Sequence, residues 1–135
     1  MSAHLLRSVI EAADRAISAE DFDAVMEFYA EDAVLVLRPG QEVRGKPAIR
    51  KAFTMIADYF GHTLSIGQGK MTVLEGGGDT ALVLMETLLS FDGEDGSRRS
   101  LSRRATYVFR KDGRGRWLCL IDNSYGTDVL ADQTL

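Results

Sequence analysis

The sequence predicts an α+β fold: a curved antiparallel sheet with three N-terminal helices packed on its concave face. Two patterns carry that expectation. Apolar residues recur at helical spacing through about the first sixty positions, and four long β-rich runs separated by glycine-rich turns follow them. A third observation concerns packing. In Ala81-Leu82-Val83-Leu84-Met85 both alternating faces are apolar, and the last two strands repeat the pattern. A sheet with one wet face should alternate instead. The helices can cover one side only, so the outer side calls for a partner, and a symmetric homodimer is the commonest solution.

Each element follows from local chemistry. From Ala3 to Ser18, the residues Leu6, Val9, Ile10, Ala13 and Ile17 fall on one helical face. Asp21 caps a short second helix whose stripe is Phe22, Val25, Met26 and Tyr29. The strand Ala33–Leu37 then turns through Arg38-Pro39-Gly40-Gln41 into a short partner, Glu42-Val43-Arg44. A third helix opens at Lys46-Pro47, carries Ile49, Phe53, Ile56 and Phe60, and stops at Gly61. The long strands are expected over Thr63–Leu74, Thr80–Phe91, Leu101–Arg110 and Trp117–Tyr125. Their short glycine turns make them antiparallel neighbours. Gly67 and Gly69 inside the first of them predict a bulge.

Composition narrows the function classes. A chain of 135 residues is read as a single domain spanning 1–135. The net charge of −4 speaks against nucleic acid and anionic membrane as partners. The basic stretch Arg98–Arg116 reads as a solvated strand edge and loop, balanced by nearby acids. A single cysteine, Cys119, excludes an internal disulfide. With no secretory pattern at Met1-Ser2-Ala3-His4 and no run long enough to span a bilayer, the expected location is the cytoplasm. Two histidines and one cysteine, without ligand spacing, predict no metal site, and no phosphate loop or nucleophile elbow is present. No cofactor is expected.

The run from Ala19 to Val34 resembles the second-helix signature of the SnoaL-like and ketosteroid-isomerase-like proteins of the nuclear-transport-factor-like superfamily. The Pro39-Gly40 turn, Val43-Arg44-Gly45 and the tail Gly115–Asn123 resemble one branch of that group, and the likeness runs from about Leu5 to Thr127. The resemblance implies a cone-shaped fold around an apolar pocket. It leaves function open, because this scaffold serves isomerases, cyclases, dehydratases, hydrolases, transport adaptors and kinase-association domains alike. The isomerase roles are a base, a first-helix tyrosine and a protonated acid. They fall on Leu37 or Val36, on Ala13, and near Thr106 or Tyr107, where none is filled. Steroid-type isomerisation is therefore not expected.

Other polar residues remain candidates. Alternation sets Arg104 and Thr106 on one face of their strand and Asp122 with Leu118 and Leu120 on the next. Those two faces can coincide, which would bring Arg104 to Asp122. Such a pair would suit a carboxylate or enolate substrate, or would serve as a structural ion pair. Glu86 interrupts the most apolar strand and is a candidate acid or base, or a dimer contact. Asn123, of opposite parity to Asp122, competes with it for the inward position. Asp122, Arg104 and Glu86 are thus the candidate catalytic residues, and Tyr29, Leu37, Phe53 and Thr106 the expected lining of the pocket. Two functions stand. One is a cofactor-independent isomerase, cyclase, dehydratase or hydrolase acting on a small apolar oxygenated molecule. The other is a noncatalytic ligand-binding or dimerisation module.

Overall fold

The computed structural model describes residues 2–131; position 1 and positions 132–135 of the expected domain lie outside the described residues. Three helices, α1 (Ser2–Ser18), α2 (Phe22–Phe28) and α3 (Lys46–Tyr59), accompany six strands. The strands are β1 (Tyr29–Arg38), β2 (Gln41–Arg44), β3 (Ser65–Gly76), β4 (Thr80–Asp92), β5 (Arg98–Lys111) and β6 (Trp117–Asn123). A 3-10 turn, Gly126–Leu130, follows. The sheet order is β2-β1-β6-β5-β4-β3. All pairs are antiparallel except β1 with β6. That parallel pair, which short turns alone do not predict, is reached through the long excursion over α3 and the β3–β5 meander.

The helices cover one face, called inner below. Leu6 and Ile10 of α1, Val25 of α2 and Ile49 of α3 are fully buried there, in one core with Ala81, Val83 and Phe109 of the sheet. The outer face leaves Leu74, Leu82, Leu84 and Leu88 exposed.

Two boundaries differ from the sequence reading in a consequential way. The Asp21 carboxylate accepts from the Ala24 amide at 3.3 Å and caps α2, but that helix stops at Phe28. Tyr29 is already extended (φ −98°, ψ 146°) and opens β1 rather than closing the helix. At the other end β6 stops at Asn123, whose side-chain oxygen accepts from the Tyr125 amide at 3.1 Å and turns the chain out of the sheet.

Two bulges shape the strands. In β3 the register shifts between Gln68 and Met71, where the glycines predicted it. A Cβ on Gly69 would stand 2.9 Å from that of Glu86, so only glycine fits without a shift. In β6 the partners of Val108 and Phe109 are Ile121 and Cys119, which leaves Leu120 as an extra residue. Cys119 and Asp122 therefore both point inward, while Leu118 and Leu120 stay half-buried.

Candidate active site

The inner face holds a cluster of buried polar side chains from five elements. Asp122 of β6 is 8% exposed and Asp14 of α1 is 5% exposed. Tyr29, fully buried at the start of β1, pairs in register with Cys119 and reaches along β6. Its hydroxyl donates to Asp122 Oδ2 at 2.6 Å. Gln68 of β3 donates from Nε2 to Asp14 Oδ2 at 2.7 Å. Tyr107 of β5, in register with Asp122, completes the cluster. Phe28, Phe53, Tyr107 and Phe109 pack around Tyr29 and one another with ring centroids 5.0–6.3 Å apart, so the surroundings are aromatic.

Burial sets the acid–base character. Loss of hydration pushes the Asp14 carboxyl from 3.8 up to about 7, with the Gln68 hydrogen bond opposing and the negative charge of Asp122 adding to the rise. The same loss of hydration pushes Asp122 from 3.8 to about 6, held back by the bond from Tyr29. Both tyrosines are pushed well above their ordinary value, first by burial and then by the Asp122 charge, and keep their protons as donors. Both carboxyls thus titrate close to neutral pH, and of the two Asp14 holds its proton to the higher pH. Cys119, buried beside Asp122, has its thiol pushed up by the same burial and is no nucleophile.

The residues singled out by the sequence separate onto two faces. Asp122 and Tyr29 meet inside. Phe53 lies inside as well, with its ring 6.1 Å from Tyr29, and Leu37 is half-buried on β1. Arg104 and Glu86 pair in register with each other on the outer face, away from Asp122. The expected Arg104–Asp122 contact fails because the extra residue at Leu120 turns Asp122 inward while the β5 alternation keeps Arg104 outside. Glu86 instead accepts from the Lys70 amide at 3.0 Å and so satisfies the bulged backbone of β3. Thr106 shares the outer face of β5, between the buried Ala105 and Tyr107. Asn123 is half-buried and donates to the Gly126 carbonyl at 3.1 Å.

Asp14, Gln68 and Tyr107 are the members that sequence reasoning missed. Asp14 had a signal: it lies four residues after Ile10, on the apolar stripe of α1, where a carboxylate is out of place. Two concavities of the described surface lie away from the carboxyl pair. One is a cleft bounded by Ile17, Phe22, Phe53, His62 and Leu64, and the other is the outside of the β1–β2 turn. Within the described residues, no helix is long and apolar enough to cross a membrane.

Comparison with solved structures gives the same fold repeatedly. A ketosteroid isomerase-like protein from Erwinia carotovora atroseptica superposes with a TM-score of 0.75 at 19% identity, covering 90% of this chain and 93% of that one. The association domain of CaMKII from C. elegans superposes with a TM-score of 0.71 at 20% identity, over 88% and 91% of the two chains. Aln2 from a Streptomyces species reaches a TM-score of 0.77 at 14% identity, over 94% and 93%. At such identities the likeness is one of fold. No curated protein sequence matches the chain. The family model for the SnoaL-like domain matches residues 6–119, which takes in α1 to the start of β6. The chain therefore belongs to the SnoaL-like domain family.

Proposed function

We propose that the chain binds a small, largely apolar, oxygenated molecule on its inner face and moves a proton on it without a cofactor. The single observation that carries this is the buried carboxyl pair: Asp122 bonded by Tyr29 and Asp14 bonded by Gln68, with proton affinities raised toward neutrality. Pairs of titratable groups whose environments set them to opposite protonation states are the basis of acid–base chemistry at neutral pH. Asp122 takes a proton from carbon beside a carbonyl, Asp14 gives its proton to the carbonyl oxygen, and the Tyr107 hydroxyl is a further donor to that oxygen. Returning the proton to a different carbon yields an isomer; loss of a β-hydroxyl as water yields a dehydrated product.

Deuterium incorporation tests this directly. In D2O, wild-type protein should exchange the α-protons of cyclic ketones or β-keto esters, read by NMR, and Asp122→Asn should not. Equal exchange by the two proteins, or none by either, sinks the reading.

A second reading, an association module, is favoured by the outer face. Leu82, Leu84, Leu88 and Ile121 are exposed around the Glu86–Arg104 pair, an arrangement that a two-fold related copy can cover with its own. The two readings are compatible, with the homodimer as the working form. The single cysteine, which is free and buried, fits a cytoplasmic setting. Light scattering should give twice the monomer mass, and Leu84→Glu should halve it; a monodisperse monomer removes the dimer.

A further inference from the structure

The inner face carries a second polar layer beside the two carboxyls. Gln68, Thr87 and Arg103 stand in register across β3, β4 and β5. Gln68 is committed to Asp14. Thr87 is 4% exposed, and its hydroxyl has no hydrogen-bond partner among the described residues. The Tyr107 hydroxyl lies beside it, close enough for Thr87 to favour the charged form of the tyrosine, yet the two make no well-formed hydrogen bond. A buried hydroxyl left unpaired costs about 1–3 kcal/mol, so its presence on this face asks for a partner.

Arg103, directly opposite Thr87, is half-buried. Its guanidinium lies 4.3 Å from the centroid of the Tyr125 ring and donates from Nη1 to Ser124 Oγ at 3.3 Å. Arg98, Arg99, Arg110 and Arg116 of the same basic stretch each hold an aspartate. Arg103, the inward one, has no carboxylate within ion-pair distance among the described residues.

We propose that Arg103 and Thr87 form a carboxylate-binding subsite on the inner face, so that the substrate of the Asp14–Asp122 pair is a small carboxylic acid anion. This deepens the acid–base reading above and rests on it. A guanidinium presents a planar fork that matches both oxygens of a carboxylate, and the Thr87 hydroxyl supplies a further donor. The Tyr125 ring holds the guanidinium in place on this face. The positive charge also offsets the repulsion that Asp122 would exert on an entering anion.

Thermal melting of the intact protein with benzoate, cinnamate, benzamide and cinnamamide tests the subsite. The two carboxylates should raise the melting temperature and the two amides should not. Arg103→Gln, which keeps donors but loses the charge, should weaken carboxylate affinity at least about tenfold. Arg116→Gln, in the exposed β5–β6 turn, should leave it unchanged. Thr87→Val should raise the melting temperature of the free protein and lower carboxylate affinity several-fold, and it decides alone if Arg103→Gln does not fold. Equal responses to acid and amide, no response to either, or wild-type carboxylate affinity in Thr87→Val overturn the proposal. Asp122→Asn separates the two ideas: it should keep carboxylate binding while losing deuterium exchange. Exchange in the wild type without carboxylate binding sinks only the subsite. Carboxylate binding without exchange sinks the acid–base reading and, with it, the anion's role as substrate, leaving the subsite as a binding site alone.

Discussion

Asp14→Asn should stabilise this protein at pH 8 and do almost nothing at pH 4. In the folded chain the Asp14 carboxyl holds its proton up to about 7, against 3.8 for the ordinary group. At about 1.4 kcal/mol per tenfold change in proton affinity, ionising it inside costs about 4 kcal/mol more than ionising it in the unfolded chain. Between those two pH values the folded state binds more protons than the unfolded one, so stability falls as pH rises. The contribution is fully present below 3.8 and lost on passing through about 7. Asn keeps the shape, still accepts from Gln68, and carries no charge. The gain at pH 8 should be about 2–4 kcal/mol, the lower figure allowing for a weaker hydrogen bond once the acceptor is neutral. Urea denaturation of the two proteins from pH 4 to pH 8 measures it, and the melting point should rise on the order of 10 °C at the upper end. Equal stability differences at pH 4 and pH 8, or a loss at pH 8, would refute the reasoning, because either result means that Asp14 ionises in the folded state as readily as in water.

Two further outcomes follow from single contacts. Gly69→Ala should cost about 1–3 kcal/mol by urea denaturation, since its Cβ meets that of Glu86 at 2.9 Å beside the amide that Glu86 satisfies; an unchanged midpoint would mean that the bulge relaxes freely. His62 lies between Glu20, 2.9 Å from Nδ1, and Asp58, 3.2 Å from Nε2, and the bond to Glu20 raises its proton affinity above the ordinary 6.5. The protonated ring ties the α1–α2 turn to the end of α3 at pH values below 6.5, and that support is lost as pH rises through the raised value. NMR titration of the imidazole should show a midpoint above 6.5, and a midpoint at or below it removes the tie.

The fold was legible because its signals are local and repeated. Helical stripes, a proline at the start of α3, and glycine turns between strands each specify an element without help from distant residues, and the order of elements then leaves few arrangements. The β3 bulge was legible for the same reason, since Gly67 and Gly69 advertise it. The β6 bulge was not. Leu118-Cys119-Leu120-Ile121 is apolar at every position, so alternation gives no indication that Leu120 is supernumerary. Straight alternation set Asp122 with Leu118 and Leu120, on the face that Arg104 shares, and that reasoning is sound for an unbroken ladder. One extra residue reverses it.

The polar cluster forms where regular geometry breaks. Tyr29 reaches Asp122 because α2 ends one residue short of it, so the tyrosine enters a strand beside Cys119 rather than completing a helical stripe. Asp122 points inward because β6 carries an extra residue. Asp14 occupies a stripe position that helical periodicity reserves for an apolar side chain. Each departure brings a charge or hydroxyl into a core that would be more stable without it, and the cost is largest where hydration is lost and no opposite charge answers it. Two carboxyls buried in one cluster cannot both ionise cheaply, and both hold their protons toward neutral pH. A core that served stability alone would put leucine at both positions. Acid beside base inside an aromatic shell is the arrangement that the proposed proton transfer requires.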